Sequence, residues 1–99
     1  MTLHILSASP FVTSCLAECR RVIAAGDALL LSADGVQALR GDCAAELARM
    51  RATGIAIYAL AEDCAARGLD GQLPEWAVAI DYGGFVDLVV KHPRSVSWF

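Results

Sequence analysis

The chain has 99 residues, of which 57% are apolar and only 19% are charged, and its formal net charge is −3. This length supports one domain over residues 1–99 without a second core, and the apolar content excludes a disordered chain. The acidic balance argues against a protein that binds nucleic acid by itself. Because so few charges cannot cover the surface of a small domain, we expect an apolar patch that other subunits cover.

The four cysteines, at positions 15, 19, 43 and 64, bear on the cellular compartment. A chain that can build its own core does not need a disulfide framework, so we expect reduced thiols and a cytoplasmic protein. The N-terminus lacks the basic segment of a signal peptide. The longest apolar run, around residues 28–31, lies between Asp27 and Asp34 and is far shorter than the ~20 residues of a membrane span. We therefore expect no membrane association.

In chain order, apolar runs and turn residues alternate as strands and helices. Residues 3–6 predict a strand, and Thr13 or Ser14 is expected to cap a helix that runs to residue 25. A strand at 28–31 leads into a short helical stretch at 36–39 and then, with Asp42 as the cap, a helix over 43–52. The remaining predicted elements are a strand at 55–60, a helix at 62–67, a strand at 77–80, a helix over 85–90 capped by Asp81, and a strand at 95–99.

This order determines the predicted fold class. The strands are apolar on both faces, which is typical of strands that helices cover on each side. Alternation of strand and helix requires right-handed crossovers and a mostly parallel sheet of about five strands. The sequence therefore predicts a three-layer α/β/α, doubly wound domain, in which ligands bind at the carboxyl ends of the strands.

The loops at those carboxyl ends carry little chemical signature. The hydroxyl-rich loop 7–11 could face a phosphate, yet it lacks the glycines of G-x-G-x-x-G and the Gly-Lys of a P-loop. A homo-oligomer that binds a small molecule at this loop stays an alternative. Ser7 and Ser9 stand where a phosphorelay receiver has acidic residues, and Asp34 and Asp63 are interpreted as a turn residue and a helix-start residue.

Cysteine offers the only reactive chemistry in the sequence. Cys15 and Cys19 lie four residues apart in the first predicted helix and share its apolar face, which predicts two small buried side chains. The alternative is a working thiol at Cys19, because Arg20 and Arg21 supply the positive charge that a reactive thiol needs. The other two cysteines are interpreted as core or incidental residues, and without a C-x-x-C pair no zinc site is expected.

The C-terminal residues Trp98 and Phe99 are unusual, because chain ends normally fray and these are large and apolar. They either dock on the core of their own chain or pack into a partner, and the residues leave both alternatives open.

Short segments along nearly the whole chain follow the order and spacing of one known family. They are LHIL at 3–6, SPF at 9–11, GDALLL at 26–31, DGV at 34–36, YAL at 58–60, ED at 62–63, ARGL at 66–69, IDY at 80–82, FVDL at 85–88, KHP at 91–93, and Trp98. In these segments the chain resembles the TusB/DsrH family, for which the expected fold is DsrE/F-like.

The resemblance implies a small subunit of a sulfur-relay complex. It implies two related α/β partners, TusC/TusD-like or DsrF/DsrE-like, in a dimer of heterotrimers, with further sulfur carriers upstream and downstream. In the Tus branch persulfide sulfur moves toward 2-thiolation of the tRNA wobble uridine, and in the Dsr branch the complex serves sulfur oxidation. The principal sulfur-carrying cysteine belongs to the D/E-type partner, so the resemblance implies a scaffold or accessory role here, with no cofactor and no direct contact with nucleic acid.

The candidate site residues follow from the same resemblance. A cysteine eight positions after the phenylalanine of Ser-Pro-Phe characterises the DsrH branch, and Cys19 occupies that position. The ending KHP at 91–93 is more similar to the TusB branch, so tRNA thiolation is the favoured assignment. A sulfur-carrying Cys19 in a DsrH-type subunit is the rival hypothesis. Phe85, Trp98 and Phe99 are the candidate interface residues.

Overall fold

The computed structural model describes residues 1–69, 71 and 73–99 and contains five strands and five helical segments within them. The strands are β1 Thr2–Leu6, β2 Ala28–Leu31, β3 Ala56–Leu60, β4 Ala77–Ile80 and β5 Arg94–Trp98. The α-helices are α1 Cys15–Val22, α2 Gly41–Ala52, α3 Ala61–Ala66 and α4 Tyr82–Lys91, and a 3-10 helix spans Ala33–Leu39. The strands form one parallel sheet in the order β4-β3-β2-β1-β5, so the predicted α/β class is confirmed.

The strand order explains why the two faces of the sheet differ. The first four strands step in one direction, and their right-handed crossovers place α1, the 3-10 helix, α2 and α3 on one face. The chain then returns from β4 at one edge to β5 at the other, and this single crossover places α4 on the opposite face. The sheet is therefore covered by three α-helices on one side and by one on the other.

Each face has its own core. The larger core lies under α1, α2 and α3 and includes Leu29, Leu31 and Leu47, which are fully buried. The smaller core lies under α4, where Leu88 packs with Leu3 and Leu30. All four residues of β2 are buried, as its uninterrupted apolar sequence predicts for the central strand of a sheet covered on both faces.

Several predicted element ends differ from the structure. Helix α1 ends at Val22, three residues before the predicted end, because Asp27 accepts a hydrogen bond from the Ala24 N–H and turns the chain toward β2. Asp42 does not cap α2, which begins at Gly41. Asp81 does cap α4, since its carboxylate accepts a hydrogen bond of 2.8 Å from the Gly84 N–H, but the helix begins at Tyr82, earlier than predicted.

The turn after β2 depends on the absence of a side chain at Gly35. A Cβ atom built on this residue would lie 2.0 Å from the carbonyl oxygen of Leu6. The Leu6 carbonyl accepts a hydrogen bond from the Ser32 N–H at 3.0 Å, and the Gly35 N–H bonds back to the Ser32 carbonyl at 2.8 Å. Glycine at this position therefore lets the 3-10 helix pack directly on the end of β1.

Helix α4 is the most apolar of the helices, with Asp87 and Lys91 as its charged residues. It has ten residues. No helix in the described part of the chain is long and apolar enough to cross a membrane.

Candidate functional site

Cys19, the predicted sulfur-carrying candidate, lies on the inner face of α1. Its side chain is fully buried in the larger core. Burial raises the pKa of the Cys19 thiol to about 12, and the negative charge of Asp27 and the neighbouring Cys15 raise it further in the same direction. Because the thiolate is the nucleophilic form, the Cys19 thiol is protonated and unreactive near neutral pH.

A buried polar network lies close to Cys19 and joins residues that are far apart in the sequence. His4 on β1 contacts the Asp27 carboxylate at 3.2 Å through Nε2, and the Trp98 indole N–H donates to His4 Nδ1 at 3.2 Å. Asp27 also accepts hydrogen bonds from the N–H groups of Thr2, at 2.9 Å, and Ala24, at 3.0 Å. The network therefore ties both ends of the chain to the start of β2.

The hydrogen bonds of this network determine the tautomer of the His4 ring. Because Trp98 can only donate, Nδ1 of His4 must accept, and Nε2 must then carry the proton that it donates to Asp27. Both ring nitrogens are occupied, so the imidazole has no lone pair with which to deprotonate Cys19. Burial alone would raise the pKa of Asp27, but the hydrogen bonds from Thr2, Ala24 and His4 outweigh it and lower that pKa.

The other cysteines are distributed over the same layer of helices. Cys64 is buried, whereas Cys15 and Cys43 are half-buried. Partial burial and the nearby carboxylates of Glu46 and Asp42 raise the pKa of the Cys43 thiol. Within residues 1–69, 71 and 73–99, no three His, Cys, Asp or Glu side chains form a group that could hold a metal ion.

The carboxyl ends of β2 and β3 carry an ionic cluster. Arg67 donates to the Asp34 carboxylate at 3.0 and 3.1 Å, and the Asp63 carboxylate accepts a hydrogen bond of 2.7 Å from the Ala33 N–H. Ala33 has a φ of 47°, an unusual conformation for alanine, and the bond that its N–H donates to Asp63 holds it there. Asp34, in the 3-10 helix, therefore pairs with the Arg67 side chain, and Asp63, in the first turn of α3, bonds to the backbone at the start of the 3-10 helix.

The hydroxyl-rich loop 7–11 bonds to its own chain. The Ser7 N–H donates to the Trp98 carbonyl at 3.0 Å, and the Ser9 hydroxyl accepts from the Phe11 N–H at 3.2 Å. Thr13 completes the loop by donating its hydroxyl to the Ser9 carbonyl at 3.1 Å. These hydrogen bonds therefore hold the entry into α1.

The three candidate interface residues have different environments. Phe85 is half-buried against the smaller core, and Trp98 is half-buried against the larger one, where it stacks on His4. Phe99 is 86% exposed. Of the two C-terminal aromatic residues, Trp98 thus docks on its own chain and Phe99 does not.

Two sets of residues were not predicted from the sequence. The first is the His4–Asp27–Trp98 network, whose members are 23 and 94 residues apart and carry no local signal. The second is an exposed apolar row on α4, formed by Tyr82, Val86, Val89 and Val90. Tyr82, Val86 and Val90 recur every four residues and Val89 follows Val86 by three, which is the spacing of one helix face and could have identified the row.

Fold and site together define a doubly wound α/β chain with mostly shielded thiols and an uncovered apolar helix. The family described as "DsrH like protein" matches residues 8–95. The chain is 45% identical over 96 residues to Protein TusB of Escherichia coli strain K12, with 97% of this chain and 99% of that protein covered. It is 44% identical over 96 residues to Protein TusB of Shigella boydii serotype 18, at the same coverage. The chain belongs to the TusB/DsrH family.

Solved structures show the same fold at low sequence identity. The ychN protein of Escherichia coli superposes with a TM-score of 0.79 at 13% identity, over 98% of this chain and 97% of that chain. A protein of unknown function from Methanobacterium thermoautotrophicum, MTH1491, gives a TM-score of 0.73 at 17% identity, over 97% and 96% of the two chains. These likenesses confirm the α/β fold.

Proposed function

We propose that this chain is a subunit of a cytoplasmic sulfur-relay complex that passes persulfide sulfur toward 2-thiolation of the wobble uridine of tRNA. The observation that carries the proposal is the 45% identity to Protein TusB over nearly the full length of both chains. The partners are two related α/β subunits, TusC- and TusD-like, in a dimer of heterotrimers. The chain makes no direct contact with the tRNA.

Within that complex the chain acts as a scaffold, and the state of Cys19 supports this role. Persulfide transfer requires an acceptor thiolate to attack the outer sulfur of the donor persulfide. One S–S bond forms as another breaks, the donor cysteine leaves as a thiolate, and no net oxidation occurs. The acceptor thiol must therefore be ionised and accessible to the donor protein. The Cys19 thiol is neither, because its pKa is about 12 and its side chain is fully buried.

A DsrH-type subunit in sulfur oxidation, with Cys19 itself carrying sulfur, is the second candidate. The match to the DsrH-like family and the position of Cys19 eight residues after Phe11 favour it. This function requires α1 to move away from the sheet when the complex forms, because Cys19 packs in the larger core of the isolated chain. The scaffold role requires no such movement and is therefore preferred.

The experiment that separates the two functions locates the transferred sulfur. The complex is reconstituted with both related subunits from the same genome and loaded with a ³⁵S-persulfide donor, and the label is mapped by peptide mass analysis. We expect the label on a partner cysteine, intact assembly with Cys19→Ser, and only a modest loss of transfer. Cys15→Ser, at a half-buried position one turn away, is the matched control. Stoichiometric label on Cys19, with transfer abolished in Cys19→Ser alone, would establish the DsrH-type function instead.

A further inference from the structure

The outer face of α4 carries an exposed row of apolar side chains that the proposed function does not yet use. Tyr82 and Val86 are each 59% exposed, Val89 is 40% exposed and Val90 is 80% exposed. At 100° per residue Val86 and Val90 lie opposite Leu88, which packs into the smaller core, and Tyr82 and Val89 lie beside them on the flank of the helix. We call them the α4 row.

A groove lined by apolar side chains and by Arg51 lies at the edge of the sheet. It has a volume of about 320 Å³ and lies at the amino ends of β3 and β4, where Tyr58, Val78 and Trp76 line it. Val78 is 51% exposed. Tyr58 in the groove wall packs against the smaller core under α4, whereas Ile57 and Trp76 in the same wall belong to the larger core, so the groove lies at the edge between the two faces of the sheet.

The size of this surface fits a protein partner. The α4 row exposes roughly 450 Å², about half of the ~800 Å² that each partner contributes to a standard interface. The groove supplies further area at the edge of the face that α4 covers. A lipid surface does not fit, since amphipathic helices that bind membranes have several basic residues on their polar face and α4 has Lys91 against Asp87.

The charges of α4 favour a different chain over a second copy of this chain as the partner. An antiparallel two-fold pairing of α4 helices centred on Val86 would bring the two exposed Asp87 carboxylates together, because a two-fold axis in the interface matches each helix flank with itself. A parallel pairing would align the helix dipoles unfavourably. A related chain with a basic residue opposite Asp87 avoids both problems.

We propose that the α4 row and the adjoining groove bind one of the two related α/β subunits of the complex, through an apolar surface that carries a lysine or arginine opposite Asp87. This inference rests on the proposed function, since it takes its partner from that complex. The low charge of the chain implies an apolar patch that another subunit covers, and the inference places that patch on the face of the sheet that α4 covers.

The test is a double substitution, Val86→Glu with Val90→Glu, in the full chain co-expressed with both related subunits. The matched control is Val12→Glu with Val22→Glu, two valines with 83% and 59% exposure outside α4. We expect the control to co-purify as the wild type does and the α4 variant to lose at least tenfold in affinity, with unchanged circular dichroism and Tm. Independently of that variant, maleimide labelling of Val90→Cys, read by peptide mass analysis, should be blocked in the complex and complete in the free chain.

The outcomes separate this inference from the function on which it depends. If the wild-type chain binds neither subunit, the proposed function fails and the inference fails with it. If the wild type and the α4 variant bind equally well, or if the Val90→Cys thiol stays reactive in the complex, the function stands and the α4 assignment is wrong. Loss of self-association alone, with binding to both subunits unchanged, would show that a second copy occupies the row and would overturn the inference.

Discussion

The hydrogen bond between Trp98 and His4 makes a specific prediction about how the C-terminal strand is held. Substituting Trp98→Phe keeps an aromatic ring in the larger core but removes the indole N–H. His4 is buried, and its Nδ1 would then lose the donor that lies 3.2 Å away. A buried acceptor left without its partner costs about 1–3 kcal/mol, a large part of the roughly 5–15 kcal/mol that stabilises a domain.

Urea unfolding curves, measured at one fixed protein concentration, give this loss of stability. A domain of this size has a urea m-value of about 1–1.5 kcal/mol/M, so the midpoint should fall by roughly 1 M or more. Phe99→Ala is the control: this neighbouring aromatic side chain is 86% exposed, and its removal should change the stability by no more than about 0.5 kcal/mol. Truncation of both residues should destabilise the domain at least as much as Trp98→Phe.

A double-mutant cycle with His4→Phe isolates the interaction itself. Residues that share a hydrogen bond couple by about 0.5–3 kcal/mol, and a cycle removes contributions from the size of each side chain. The reasoning is refuted if Trp98→Phe behaves like Phe99→Ala, or if the coupling between positions 4 and 98 is zero within error.

Three further predictions follow from the pKa of Asp27, the packing of Gly35 and the shortage of surface charge. Because the pKa of Asp27 is lowered in the fold, its stabilisation is complete above the ordinary carboxyl pKa near 4 and is lost as the pH falls through the lowered value. Asp27→Asn should therefore reduce the free energy of unfolding by about 1–2 kcal/mol at pH 7. In urea titrations the variant should also lose less of that free energy than the wild type as the pH falls from 5 to 3, and an unchanged pH profile would contradict this. Gly35→Ala should lower the Tm by more than 10 °C, since its Cβ would meet the Leu6 carbonyl oxygen, and a Tm within 3 °C of wild type would show that the turn can shift. Expressed alone, the chain should self-associate in light scattering, and the related subunits should prevent this; a monodisperse monomer that binds neither subunit would refute the expectation.

The order and type of the secondary-structure elements could be predicted from the sequence because both depend on local pattern. Continuous apolar runs such as residues 28–31 require cover on both faces, and alternation with helices then requires a parallel sheet. The Asp81 cap was predicted for the same reason, since its carboxylate bonds to a backbone N–H three residues away. Family membership was also readable, because it depends on short segments in a fixed order.

Only the tertiary structure decided which distant residues meet. The return of the chain from β4 to β5 places Trp98 beside His4 and Asp27, a contact across 94 residues that no local pattern encodes. Within the described residues, the same crossover leaves α4 as the one helix on its face of the sheet. Because no neighbouring helix of those residues covers it, the α4 row is exposed. Cys19 illustrates the limit most clearly: its spacing permitted both a buried and a working thiol, and its pKa follows from desolvation by the surrounding core, which exists only once the sheet and α1 have packed together.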